Sequence, residues 1–380
     1  QAALGQVAGQ LGRSYPPVIG NQTVQAPAGF DSVDPSHKRQ VVGRCGQASA
    51  EQARQAVAAA AGAFPAWRDT DPGRRAEYLF DAARAMRRRR FELAAWQVYE
   101  CGKQWREADA DVAEAIDYCN FYGQEMVRLA QPRRRDVPGE DNVYFYDPRG
   151  VTAVIAPWNF PLAILCGMTA AALVTGNPVI MKPAEQSSVV GAKLMEVFQE
   201  VGLPPGVVNY LPGVGEEVGP VLVSHPDVAM IAFTGSRAVG LLINRLAAEV
   251  TAGQQQVKRV LAEMGGKNAI LVDDDADMDE AVRGVAASAF GYQGQKCSAC
   301  SRLIVPESVH DAFVARLVEA TRSFKVGPAQ DPGCFVGPVI DEQAYRRILA
   351  AIEQGKGEGR LAYAGAVGPL TDEGFYIAPH

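Results

Sequence analysis

At 380 residues the chain is longer than one ordinary domain and reads as two or three packed units. Apolar residues at 48% and charged residues at 21% are the proportions of a globular chain with a large core, which excludes disorder. A formal net charge of -6 excludes nucleic acid or an anionic membrane as the main partner and leaves small molecules or like subunits.

Cys45, Cys101, Cys119, Cys166, Cys297, Cys300 and Cys334 are odd in number and widely scattered. They read as reduced thiols in a reducing, cytoplasmic compartment rather than as a disulfide framework. The stretch from Gly150 to Met181 carries no charge and so raises the question of a membrane span. Pro157, Asn159, Pro161, Gly176, Asn177 and Pro178 interrupt it, leaving Leu162 to Val174 as a buried helix too short for a bilayer. The first residue is Gln1 and no signal peptide is read, which suggests a processed chain or a piece of a longer one.

Along the chain, Ser49-Ala-Glu-Gln followed by Ala53, Val57, Ala60, Ala61 and Phe64 predicts a capped amphipathic helix. A second helix is expected through Met86 to Arg90 and on to Leu93, Trp96 and Val98, its four arginines spread over a solvated face rather than reading nucleic acid. Gln131 to Glu140 is rich in proline and charge, and the following Val143-Tyr-Phe-Tyr alternates like an exposed strand. Residues 131–149 are therefore expected to form a hairpin excursion that meets a neighbouring subunit.

After Gly150 short apolar runs alternate with helical segments. Strands are expected at Thr152 to Ala156, Val179 to Lys182, Val207 to Leu211, Val228 to Phe233 and Lys258 to Ala262. Helices are expected at Ser187 to Val201 and Ala238 to Glu249. Such alternation implies an α/β fold with a mostly parallel sheet covered on both faces, where ligands sit beyond the carboxyl ends of the strands. The α/β pattern restarts with a strand at Ala269 to Val272, a helix at Met278 to Phe290, a strand at Arg302 to Val305 and a helix at Ser308 to Phe324. The expected domains are 1–260, binding a dinucleotide, and 261–380, carrying the chemistry.

Several strand ends bear chemically useful residues. Gly213-Val-Gly215-Glu-Glu-Val-Gly219 follows a strand and opens a helix, one residue longer than the usual dinucleotide fingerprint, and a tight packing turn explains it as well. Phe233-Thr-Gly235-Ser236 is a second strand-to-helix turn whose N–H groups suit a phosphate. Lys182-Pro-Ala-Glu185 places an ammonium and a carboxylate together, and a carboxylate there can accept both ribose hydroxyls and would repel a 2′-phosphate, favouring NAD, though a surface ion pair explains the pair as well.

The loop Gly291-Tyr-Gln-Gly-Gln-Lys-Cys297-Ser-Ala-Cys300 is the most informative. A Cys among glycines and beside Lys296 is unlike a buried structural thiol. No thioredoxin-like setting supports a redox pair, and zinc would need further ligands, so no metal is expected. None of His37, His225, His310 and His380 lies in a motif, which disfavours a Cys–His hydrolase and leaves a nucleophilic Cys with a carboxylate base elsewhere. Glu263, at a strand end before two glycines, is a candidate base, expected to be buried. Asn159, in a turn bounded by prolines, is a candidate oxyanion donor.

These stretches, Pro157-Trp-Asn-Phe-Pro161, Lys182-Pro-Ala-Glu185, Phe233-Thr-Gly-Ser236, Glu263-Met-Gly-Gly266 and Gly294-Gln-Lys-Cys297, resemble the aldehyde dehydrogenase superfamily in content and order. The resemblance implies a Rossmann-type NAD-binding domain, an α/β catalytic domain and a small bridging hairpin in a homo-oligomer. It implies Cys297 as nucleophile, Glu263 as general base and Asn159 as oxyanion donor. Cofactor contacts are implied for Trp158, Lys182, Glu185, Gly215, Gly219, Phe233, Gly235, Ser236 and Met264. Gly291-Tyr-Gln-Gly-Gln-Lys-Cys-Ser-Ala and Pro138-Gly-Glu-Asp-Asn are similar to the 1-pyrroline-5-carboxylate dehydrogenase subfamily in its stand-alone bacterial form. Its members oxidise L-glutamate γ-semialdehyde to glutamate. By that likeness Ser298 holds the substrate α-carboxylate, Phe160 lines the aldehyde tunnel and Glu107 meets the substrate amino group. Cys300 departs from the pattern, where a small residue without a thiol is expected. Another semialdehyde dehydrogenase, acting for example on succinate semialdehyde, or an inactive NAD-binding relative, is the alternative. Glu263 counts against a CoA-acylating relative. Family members continue past the point matching His380, so a C-terminal part is expected to be missing here.

Overall fold

In the computed structural model, which describes residues 1–380, packing separates two units more finely than one cut after residue 260. The first comprises Gln1–Ser32, Gly43–Ala94 and Asp109–Glu263, the second Val33–Val42, Ala95–Ala108 and Met264–His380. Two early segments belong with the C-terminal unit because hydrogen bonds tie them there. Asp34 accepts from the Gln330 amide at 2.6 Å, the Ala329 N–H reaches the Ser36 hydroxyl at 3.2 Å, and Trp105 donates to the Gln330 carbonyl at 3.1 Å.

The N-terminal region holds α1 (Ala2–Ala8), β1 (Arg13–Tyr15), β2 (Val18–Ile19), β3 (Gln22–Thr23), β4 (Ala28–Asp34) and β5 (His37–Gln47). Helix α2 (Ala50–Arg68) starts at the predicted capping box, with Ser49 accepting from the Gln52 N–H and the Gln52 side chain answering the Ser49 N–H. The helix expected through the arginine run is two, α3 (Pro72–Arg88) and α4 (Arg90–Cys101). Arg89 sits at the break, bonded to Glu92 and Glu196, while Arg88 pairs with Glu200 and Arg90 with Asp109. Three of the four arginines are thus committed to carboxylates. The long α5 (Trp105–Leu129) follows, then a small antiparallel hairpin of β6 (Arg133–Arg134) and β7 (Val143–Tyr144), as expected for 131–149.

The main sheet of the first unit is built from β8 (Val151–Ile155), β9 (Val179–Lys182), β10 (Val208–Tyr210), β11 (Val228–Thr234) and β12 (Arg259–Glu263). Its order is β12-β11-β8-β9-β10-β2-β3, parallel from β12 to β10 and antiparallel where β2 and β3 join. Strands β8 to β10 are almost wholly buried, which is why they read as continuous apolar runs. Between them lie α6 (Ala163–Val174), α7 (Ser188–Glu200), α8 (Gly215–Ser224) and α9 (Arg237–Ala248). Helix α3 packs with α6 and α7, and α8 with α2 and α9, so helices cover both faces. The uncharged stretch is therefore two buried strands around a 12-residue core helix. No helix is long and apolar enough to cross a membrane.

The second unit pairs β13 (Asn268–Leu271) with β14 (Cys300–Ile304) in parallel. Helices α10 (Met278–Phe290) and α11 (Glu307–Arg322) close a core of Val272, Val282, Val285 and Phe313. Helices α12 (Glu342–Glu358) and α13 (Leu370–Glu373) complete it.

Candidate active site

In the first unit the chain leaves the central strand β8 for β9 and β10 on one side and returns to β11 and β12 on the other, so β8 and β11 form a topological switch point. The register sets their carboxyl ends level. Ile155 lies opposite Lys182 and Phe233, and Thr234 opposite Glu263. Trp158, Asn159 and Phe160 follow β8, Lys182 ends β9, and Gly235 and Ser236 follow β11. Seven predicted residues, Trp158, Asn159, Phe160, Lys182, Phe233, Gly235 and Ser236, thus share one rim of one sheet with Glu263.

The turn holding Asn159 is half-buried and runs straight into α6. That helix has no acidic residue in its first turn, and its N-cap Leu162 offers no side-chain bond. Asp111 of α5, 1% exposed, takes over by accepting from the Ala163 N–H at 2.6 Å. Sequence reading did not single out Asp111, since a partner 52 residues away leaves no local spacing signal.

At the end of β9, Lys182 is buried and its Nζ lies 3.0 Å from Glu185 Oε1. The same oxygen accepts the Gly215 N–H at the start of α8 at 2.6 Å. Gly215 therefore joins the predicted Lys182–Glu185 pair, and the Glu185 side chain stays 34% exposed. Gly213 instead serves packing, since a Cβ there would sit 3.1 Å from the Ala48 nitrogen. A Cβ at Gly219 would meet nothing within 4 Å. Ser236 caps α9 by accepting from the Val239 N–H at 3.3 Å. Gly235 admits the Phe233 ring, which would lie 2.6 Å from an added Cβ.

Glu263 ends β12 and is exposed rather than buried, because β12 is the edge strand of its sheet.

Five of the chain's seven cysteines have no part in accessible chemistry, since Cys45, Cys119 and Cys166 in the first unit and Cys101 and Cys334 in the second are buried. Burial pushes the Cys334 thiol up to about 11. Cys297 is exposed and Cys300 half-buried. Cys297 and Ser298 occupy a turn closed by the Ala299 N–H donating to the Lys296 carbonyl at 3.2 Å. Asn268 crosses from β13 to donate to the Cys297 carbonyl at 2.7 Å and the Ala299 carbonyl at 3.3 Å. Cys300 opens β14, its N–H held by the Ser288 hydroxyl at 3.2 Å and its thiol directed to the Arg302 carbonyl at 3.3 Å. Glu107 pairs with Lys296 at 2.8 Å, so its carboxylate already has a cationic partner of the chain itself. Met264 begins the last segment of this unit, directly after Glu263 in the chain.

The first unit thus presents a parallel sheet with a Lys–Glu pair beside its switch point, and the second unit an exposed thiol on a braced turn. The chain belongs to the aldehyde dehydrogenase family, whose model matches residues 23–380. It is 50% identical over 379 residues to 1-pyrroline-5-carboxylate dehydrogenase of Geobacillus kaustophilus, covering 100% of this chain and 73% of that protein. The crystal structure of 1-pyrroline-5-carboxylate dehydrogenase from Thermus with bound NAD superposes with a TM-score of 0.95 at 46% identity, over 100% of this chain and 73% of that one. Proline utilization A from Bdellovibrio bacteriovorus gives 0.97 at 50% identity, over 100% of this chain and 39% of that one. The likeness is therefore as strong to proline utilization A as to the separate dehydrogenases.

Proposed function

We propose that the chain catalyses the NAD-dependent oxidation of L-glutamate γ-semialdehyde, the open form of 1-pyrroline-5-carboxylate, to L-glutamate. The observation that carries the reading is near-50% identity, over the whole chain, to proteins of that name, joined to an exposed Cys297 on a fixed turn. The nucleotide rim fits the cofactor. A buried ammonium against a half-exposed carboxylate suits a ribose diol, and the capped start of α9 with Gly235 suits a pyrophosphate. Lys182, Glu185, Gly215, Phe233, Gly235 and Ser236 would hold NAD, with Trp158, Gly219 and Met264 as further contacts. NAD, when bound, accepts the hydride.

The chain's own groups supply the rest. Cys297, as thiolate, adds to the aldehyde carbon and raises an alkoxide. The Asn159 side-chain amide donates to that oxygen. Once the hydride has left, the acyl group remains as a thioester on Cys297. Glu263 then takes a proton from water, whose oxygen attacks the thioester and frees the carboxylic acid with the thiol restored. Ser298, Phe160 and Glu107 are proposed as substrate contacts, Glu107 through its pair with Lys296. The exposed hairpin residues Tyr144, Phe145 and Tyr146 are proposed to meet a second copy in a homo-oligomer. The direct test is to compare kcat/KM for glutamate γ-semialdehyde with that for succinate semialdehyde and hexanal. A preference of at least tenfold for the first is expected, and equal values would overturn the substrate assignment.

A further inference from the structure

Backbone conformation just before the nucleophile turn is unusual. Only three residues other than glycine have positive φ, namely Asn21, Tyr292 and Gln293. Two of them are consecutive, with Tyr292 at φ 49 and ψ 40 and Gln293 at φ 56 and ψ 29, and Gly294 continues the left-handed run at φ 67. Glycine adopts this region freely, but Tyr and Gln do so only where surrounding contacts hold them.

Those contacts are present. The Tyr292 ring is fully buried, its hydroxyl donates to the Cys101 carbonyl at 2.8 Å, and Lys103 Nζ lies 4.8 Å from its centroid. Gln293 is held through both ends of one amide. Its Oε1 accepts from Gln104 Nε2 at 2.6 Å and from the Gly337 N–H at 2.9 Å, and its Nε2 donates to the Pro338 carbonyl at 2.6 Å. Gly337 is required for this approach, since a Cβ there would sit 2.7 Å from Gln104 Nε2 and 3.2 Å from Gln293 Nε2. Gln295 adds a bond from the Ile340 N–H to its Oε1 at 3.1 Å. Downstream, Asn268 fixes the other side of the turn at the Cys297 carbonyl.

We propose that Gln293 is a positioning residue, its amide latching the left-handed Tyr292–Gly294 run to segments 101–104 and 337–340 so that the Cys297 turn is preset. The proposal rests on Cys297 being the nucleophile. If the latch opens, the strained run relaxes and the turn no longer holds Cys297 in one place. A glutamine is needed because the site asks for an acceptor and a donor on one side chain.

The test compares Gln293→Met, which removes all three bonds and keeps the strain, with Gln293→Gly, which removes the bonds together with the strain at position 293 and leaves Tyr292 as it is. Both are measured by kcat, by the rate of the NADH burst per active site, by KM for NAD and by melting temperature. Gln293→Met is expected to lower kcat and burst rate together by at least tenfold with KM for NAD unchanged, and Gln293→Gly to lose less than Gln293→Met. Should the Met variant be insoluble, Gln293→Glu keeps the acceptor and loses the donor, and at least a threefold loss of kcat is expected. A lower melting temperature with wild-type kcat, or equal kcat in the Met and Gly variants, would overturn the proposal. Wild-type kcat in Gln293→Glu would overturn it as well. Cys297→Ala separates the two readings, because retained turnover there refutes the nucleophile itself, whereas an inactive Cys297→Ala beside an unaffected Gln293→Met refutes only the latch.

Discussion

Replacing Asp111 by Ala should destabilise the first unit by about 2–4 kcal/mol, a sum of two effects that the structure makes separable. A hydrogen bond to a charged group is worth about 1.5–3 kcal/mol, and an N–H orphaned in a buried site loses its water as well as its partner. Ala163 is 0% exposed, so no solvent replaces the carboxylate at 2.6 Å. A negative charge at the start of the 12-residue α6 adds about 0.3–1 kcal/mol. The cost of burying that charge works in the opposite direction, and Asp111→Asn isolates it by keeping an acceptor while removing the charge. Asn should cost about 1 kcal/mol or less. Urea unfolding followed by tryptophan fluorescence reads both values. Because α6 begins immediately after the Asn159 turn, kcat of the folded Ala variant should also fall. An Asp111→Ala protein within about 0.5 kcal/mol of wild type would show that the Asp111 cap contributes nothing.

Asp34 offers a pH test. Burial raises its carboxyl from 3.8 to about 6, against the opposing bonds from Ser36 and Gln330. The folded state therefore holds this proton more tightly than the unfolded chain, so the stabilisation is full below about pH 4 and is lost as pH rises through about 6. The loss amounts to about 3 kcal/mol, and Asp34→Asn should flatten that slope in unfolding measurements; an unaltered slope removes Asp34 as its source. Glu185→Gln should raise the Kd for NAD about tenfold, by loss of a charged partner to both Lys182 and the ribose, while weakening NADP binding less; isothermal titration with each dinucleotide checks it, and equal losses refute the ribose role. Phe145→Asp, on a side chain 63% exposed, should shift sedimentation toward smaller species, and an unchanged coefficient removes the hairpin from the subunit contact.

Much of the first unit was legible because its strands are buried on both faces and therefore stand out as apolar runs between Gly, Pro and Asn. Val179–Lys182 and Met278–Phe290 match the expected bounds residue for residue. The helix break at Arg89 was not legible, since Met86 to Arg90 holds no Gly or Pro to mark it, and one of the carboxylates that Arg89 meets, Glu196, is 107 residues away. The same reason hid Asp111 and Gln293, whose partners lie 52 and 44 residues distant or more. Residues 33–42 and 95–108 read as part of the N-terminal domain by sequence proximity, yet their buried polar bonds run to the C-terminal unit. Glu263 was expected to be buried because strand ends before glycines often are, and the edge position of β12 left it exposed. Motif residues were readable where one loop carries its own chemistry, as at Cys297 and at Lys182 to Glu185.

The central claim is that Cys297 carries the acyl group and Glu263 releases it, and a rapid-mixing experiment with glutamate γ-semialdehyde and NAD tests it most directly. Glu263→Gln should give a burst approaching one NADH per site followed by almost no steady turnover, with a mass increase on the Cys297 peptide equal to the acyl group. Cys297→Ala should give neither burst nor turnover while still binding NAD. Steady turnover by Cys297→Ala, or acylation of Glu263→Gln at Cys300 instead of Cys297, would contradict the account.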